Sequence, residues 1–135
     1  MIFDILRFFI AVLVLNAPVA LARDPEIIVT THTYKKVGNL KINLDVHRST
    51  DKKVRPLAVW IHGGALINGG RKGIGHGRQL LEAGYVVASL DYRLAPETRL
   101  PEILSDVEDA FKWIRKNGRK ELQADTSQIA VLGGS

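Results

Sequence analysis

No cysteine occurs in the 135 residues. That absence excludes a disulfide scaffold, thiol catalysis and a cysteine metal site, and it leaves the compartment open because secreted proteins can do without disulfides. Long apolar runs are also scarce. The run Phe8 to Leu15 is broken by Asn16 and Pro18 well before the ~20 apolar residues that a membrane span needs. A phosphate-binding loop is missing too: Asn68-Gly69-Gly70-Arg71-Lys72-Gly73 is rich in glycine, but no Gly-Lys-Ser or Gly-Lys-Thr follows it. Basic residues exceed acidic ones by five, yet they are scattered, with short clusters at Lys52-Lys53-Val54-Arg55 and Arg115 to Lys120. We read them as a solvated surface rather than a nucleic-acid patch, and the second cluster suits the end of a helix, where positive charge meets the dipole.

An apolar fraction of 46% and a charged fraction of 24% are those of a globular chain, which excludes disorder, collagen and coiled coil. The length suits one domain and is too short for two. Residues 1–22 read as an export signal: Arg7 precedes the apolar run, and Ala20-Leu21-Ala22 supplies the small-x-small pattern of a cleavage site. Asp4 offsets Arg7, and an uncleaved anchor is the alternative. Cleavage after Ala22 leaves residues 23–135 as the domain and implies a secreted or periplasmic protein.

The stretch that organises the domain is Ile61-His62-Gly63-Gly64-Ala65-Leu66. The run before it, Leu57 to Ile61, is continuously apolar, as expected of a strand buried on both faces of a parallel sheet. Such sheets hold their chemistry at the carboxyl ends of the strands. Glycines there let the backbone turn sharply and aim N–H groups at negative charge, which is the chemistry of an oxyanion hole. An ordinary Gly-Gly turn is the competing reading.

Around this strand the pattern predicts an N-terminal antiparallel hairpin, Ile27 to Thr31 and Leu40 to His47, turning at Gly38-Asn39. In its second strand Leu40, Ile42, Leu44 and Val46 alternate with a wet face of Lys41, Asn43, Asp45 and His47; His32 and His47 are read as surface residues. A short helix over Ile74 to Ala83, with Leu80 and Leu81 inward, leads to a strand over Tyr85 to Leu90. A helix over Pro101 to Asn117 carries Leu104, Val107, Phe111 and Ile114 on one stripe, with Asp106, Glu108 and Lys112 pointing elsewhere and Gly118 as its stop. A polar stretch through Asp125 precedes the last strand, Ile129 to Leu132, and Gly133-Gly134-Ser135 follows it.

This order, strand, His-Gly-Gly, helix, strand, Asp91-Tyr92-Arg93-Leu94-Ala95-Pro96-Glu97, helix, strand, Gly-Gly-Ser, resembles the amino-terminal half of an α/β-hydrolase. The resemblance is to the esterase and lipase group that includes the hormone-sensitive-lipase-like and acetyl-esterase-like enzymes, and it covers about residues 40 to 135. It implies a partial α/β-hydrolase fold: a mostly parallel sheet with flanking helices after the N-terminal hairpin. It further implies Ser135 as the nucleophile of a Gly-x-Ser-x-Gly elbow, backbone donors of the oxyanion hole at Gly63 and Gly64, and a loop-shaping role for His62. The substrate it implies is a small ester, with no metal, no cofactor, no nucleic acid and no stable membrane span.

Ala65 stands where many relatives carry a third glycine, and its N–H can serve as a further donor if its φ is negative. The second elbow glycine, the donor after the serine, the triad acid and the base histidine all follow the serine in this group. His32, His47 and His76 precede it and cannot take the vacant place. The 135 residues alone are therefore expected to be an inactive piece of a secreted serine ester hydrolase, from a gene fragment or an incomplete reading frame. A non-catalytic binding module on the same scaffold, or a serine peptidase of the same fold, is the alternative.

Overall fold

The computed structural model describes residues 26–135, so the expected signal peptide at residues 1–22 lies outside the described residues. Strands β1 (Ile27–Val37) and β2 (Leu40–Ser49) form the expected hairpin, paired from Ile27 opposite Ser49 to Val37 opposite Leu40. Its turn needs a left-handed residue, and Gly38 supplies it with φ 58°. Then follow β3 (Arg55–Ile61), α1 (Gly77–Glu82), β4 (Val86–Leu90), α2 (Leu100–Asn117) and β5 (Ala124–Gly133), with a π-helical turn at Gly118–Leu122 before the last strand.

The strand order is β1-β2-β4-β3-β5. β2 joins β4 antiparallel, whereas β3 runs parallel to both β4 and β5, so the sheet is mixed. The chain leaves β3 toward β4 on one side and returns across to β5 on the other. That reversal makes the carboxyl end of β3 a switch point, the place where open α/β sheets bind ligands. Burial on both faces explains the unbroken apolar run: Leu57 and Val59 pack with Val86, Leu90, Ala110 and Ile114 under α2, while Ala58 and Trp60 pack with Val87, Ile74 and Leu81 under α1. Each aliphatic side chain so buried contributes about 1.5–3 kcal/mol.

Four local expectations change. The first helix begins at Gly77 rather than Ile74, because Gly75 is left-handed (φ 44°) and a Cβ there would meet the Trp60 ring at 2.2 Å. In α2 the buried residues are Ile103, Asp106, Ala110 and Ile114, with Val107 and Phe111 packed at the margin and Leu104 left 55% exposed. The stripe is displaced because Asp106 occupies its centre, held there by cationic partners. His32 and His47 are half-buried, not surface residues; the His32 ring lies 5.4 Å from that of Trp113, and burial lowers the pKa of both imidazoles. Asp45, on the face read as wet, is buried beneath Arg71.

The polar stretch before the last strand is absorbed into β5 itself. Pro56 pairs with Asp125 but Leu57 pairs with Ile129, so the residues between bulge outward, and the Asp125 carboxylate accepts bonds from the Ser127 N–H and hydroxyl. β5 pairs with β3 on one side; among the described residues no strand covers the other. No helix among the described residues is long and apolar enough to cross a membrane.

Candidate active site

β3 and β5 end side by side. Ile61 pairs with Gly133, and the Gly134 N–H donates to the Ile61 carbonyl at 3.0 Å. The parallel register therefore brings His62-Gly63-Gly64 against Gly134-Ser135. The contact leaves no room for a side chain: a Cβ on Gly63 would lie 2.7 Å from the Gly134 carbonyl carbon and 2.7 Å from the Ser135 nitrogen. Beneath the turn sits Trp60, whose ring would be 3.3 Å from a Cβ on Gly134. Ser135 is exposed at the top of the sheet.

The loop after Gly63 curls tightly. The Gly64 carbonyl accepts from Ile67 N–H at 3.0 Å and Asn68 N–H at 3.1 Å. Gly64 itself takes φ 112°, and a Cβ on it would overlap Asn68. Among the described residues the N–H groups of Gly63, Gly64 and Ala65 are left out of this hydrogen bonding. The condition set for Ala65 is not met: its φ is 53°, and Leu66 follows at 64°, so two non-glycine residues are left-handed in succession. The curl that sends Ile67 and Asn68 back to Gly64 imposes this, and the Leu66 carbonyl is fixed by the Ala95 N–H at 2.8 Å.

His62 is buried inside the loop rather than offered to a substrate. Its Nδ1–H donates to the Gly63 carbonyl at 2.8 Å, and its ring stacks on Tyr92 with centroids 4.2 Å apart and planes within 6°. The Tyr92 hydroxyl donates to the His62 carbonyl at 2.7 Å, and burial raises the Tyr92 pKa. Gly69 is required by the same packing, since a Cβ there would fall 2.2 Å from His62 Nδ1. His76 stands apart, its ring edge-on to Trp60.

Sequence reasoning missed the struts that hold this loop. Arg71 donates through Nε to Asp45 at 2.9 Å and through its guanidinium and backbone N–H to Asp91, and Asp45 also accepts from the Thr31 hydroxyl. The Tyr34 hydroxyl donates to the Asp91 carbonyl at 2.6 Å. Arg93 grips Asp106 with Nε at 2.7 Å and a terminal nitrogen at 2.8 Å, and Lys35 Nζ reaches the same carboxylate at 2.8 Å. Burial alone would raise the Asp106 pKa, but Arg93 and Lys35 outweigh it and hold the carboxyl below its ordinary value. The one available signal was the Asp91 to Glu97 motif: its residues touch the His62 loop, Arg71 and α2 in turn. Among the described residues no group of three or more His, Asp or Glu side chains could hold a metal ion.

A family model, BD-FAE, matches residues 44–135. Among solved structures, an esterase from Pyrobaculum calidifontis is 36% identical with a TM-score of 0.70, covering 80% of this chain and 35% of that one. An esterase from Thermogutta terrifontis is 25% identical, also at 0.70, covering 79% and 40%. Among curated proteins, the methylphloroacetophenone synthase of Cladonia uncialis is 42% identical over 115 residues, 76% of this chain and 4% of its own length. A non-reducing polyketide synthase of Penicillium brevicompactum is 34% identical over 110 residues, 72% of this chain and 5% of its own. The chain thus spans a small part of these curated relatives and well under half of the esterases. With its strand order, its His-Gly-Gly loop and its Gly-Gly-Ser turn in contact, this chain belongs to the BD-FAE family and has the esterase-like α/β-hydrolase fold.

Proposed function

We propose that this chain supplies the nucleophile and the first part of the oxyanion hole of a serine carboxylic-ester hydrolase acting on short-chain acyl esters. The observation that carries the reading is the contact between the Gly63 backbone and the Gly134-Ser135 turn. It puts a hydroxyl and a loop of undonated N–H groups at one strand end, as acyl transfer requires. In the reaction, Ser135 Oγ bonds to the ester carbonyl carbon while its proton passes to a base. The carbonyl oxygen takes the negative charge and is met by the N–H groups of Gly63 and Gly64, with Ala65 as a lesser candidate because of its left-handed backbone. Collapse expels the alcohol, which takes the proton back, and water then releases the acid from Ser135. His62 is not that base: buried, stacked and bonded to Gly63, it shapes the loop. The triad acid and base are to come from residues outside 1–135, in keeping with the share of the esterase chains that this sequence spans. In the gene product of the full reading frame, Ser135→Ala should abolish turnover of an activated short-chain ester, and wild-type turnover in that variant would defeat the assignment.

A second reading has its own support. The stretches similar to this chain in the two fungal synthases are small parts of very long proteins, which suits a module on the same scaffold without independent catalysis. A full-length gene product that folds, fails to hydrolyse a panel of activated esters, and does not react at Ser135 would favour it.

A further inference from the structure

A cavity of about 580 Å³ lies on the α1 side of the sheet, toward the amino ends of β3 and β4 and away from Ser135. Its apolar floor is made by Ile74, Leu81 and Tyr85, with Ile27 at one edge. Its rim is basic: among the described residues His47, Arg55, Lys72 and Arg78 stand against the single acidic residue Glu82. These cations are not equally engaged. Arg55 is committed to the wall, paired with Asp51 at 2.6 Å and donating to the Gly84 carbonyl. Lys72 and Arg78 have no ion-pair partner among the described residues, and both are exposed. His47 Nε2 is shut off from solvent with no hydrogen-bond partner among the described residues. Arg78 is near enough to His47 to disfavour its protonation.

Lys72 and Arg78 put positive charge that no ion pair offsets beside an apolar floor, which favours a ligand carrying a negative charge next to an apolar part. A ligand that answers both features has an anionic headgroup and a short apolar tail. We infer that this cavity binds such an amphiphilic anion, a carboxylate or a phosphate monoester, with Lys72 and Arg78 at the headgroup and Ile74, Leu81 and Tyr85 against the tail. The site shares no residue with the His62 loop or Ser135, so the inference stands apart from the ester-hydrolase reading.

The test is calorimetric titration of the full gene product with octanoate, octyl phosphate, octanol and acetate. Octanoate or octyl phosphate should bind at least about tenfold more tightly than octanol, which lacks the charge, or acetate, which lacks the tail. The tighter of the two anions identifies the headgroup. Arg78→Gln and Lys72→Gln, both at exposed positions where the fold is not at stake, should each weaken that anion about fivefold or more, and Glu82→Gln should strengthen it. Turnover of an activated ester should be unchanged in all three variants, which separates this cavity from binding at Ser135. Octanol binding as tightly as the anions, anion affinity unmoved by both Gln variants, or no binding by any probe would overturn the inference.

Discussion

Gly63 is the residue on which the geometry turns, because the space where its side chain would lie is filled by the backbone of Gly134 and Ser135. Backbone cannot step aside as a flexible side chain can. Gly63→Ala should therefore separate the loop from the serine and weaken oxyanion stabilisation, lowering kcat in the full gene product by about 10²–10³ with KM much less affected. A variant whose kcat stays within a few-fold of the wild type would show that Gly63 does not position the reacting groups. The need for glycine at 63 was legible only as a motif; that the neighbour is Ser135, 72 positions on, required the β3/β5 register. Ala65 shows the opposite case. Its residue type was readable, but the sign of its φ was not, because that sign depends on the Gly64 carbonyl receiving two N–H groups and on Ala95 holding Leu66.

Helix α2 is tied through Asp106 to the loop that supports the site. The Asp106 carboxylate is fully buried and shared by Arg93 and Lys35, which are each 18% exposed. Removing one partner of a buried pair usually costs 3–5 kcal/mol; here the two cations can reach water and Lys35 keeps Asp109, so Asp106→Ala should cost about 3 kcal/mol in urea unfolding of the full gene product. The pH dependence follows from the lowered pKa of Asp106 in the fold. Its stabilising contribution is complete above the unfolded value of about 3.9 and is lost as pH falls through the lower folded one. Asp106→Asn should therefore flatten the acid limb of the stability profile, and an unchanged limb would contradict the assignment. The helix itself was plain from its periodicity, whereas its buried centre was not. Apolar spacing placed Leu104 inward and Asp106 outward, and no pattern within the helix reveals a carboxylate whose partners come from β1 and the Asp91 to Glu97 loop.

For the whole molecule, strand order and crossover direction explain why two short glycine motifs far apart in sequence form one site. The hairpin, the buried parallel strand and the order of helices were legible because each has its own hydrophobic period. That the hairpin joins the sheet through β2 against β4 was not, since it depends on pairing between segments. Protein recovered from its native host should begin at Arg23, and intact Met1 on soluble protein from the cell interior would refute the expected export. Ser135 is proposed as a nucleophile that the β3/β5 register sets against the His62 loop. The most direct test is to label the full gene product with a fluorophosphonate ester and locate the adduct by peptide mass spectrometry. One equivalent of label on Ser135, loss of ester turnover in step with labelling, and no label in Ser135→Ala are expected; a stoichiometric adduct on another residue, with turnover surviving in Ser135→Ala, would overturn the assignment.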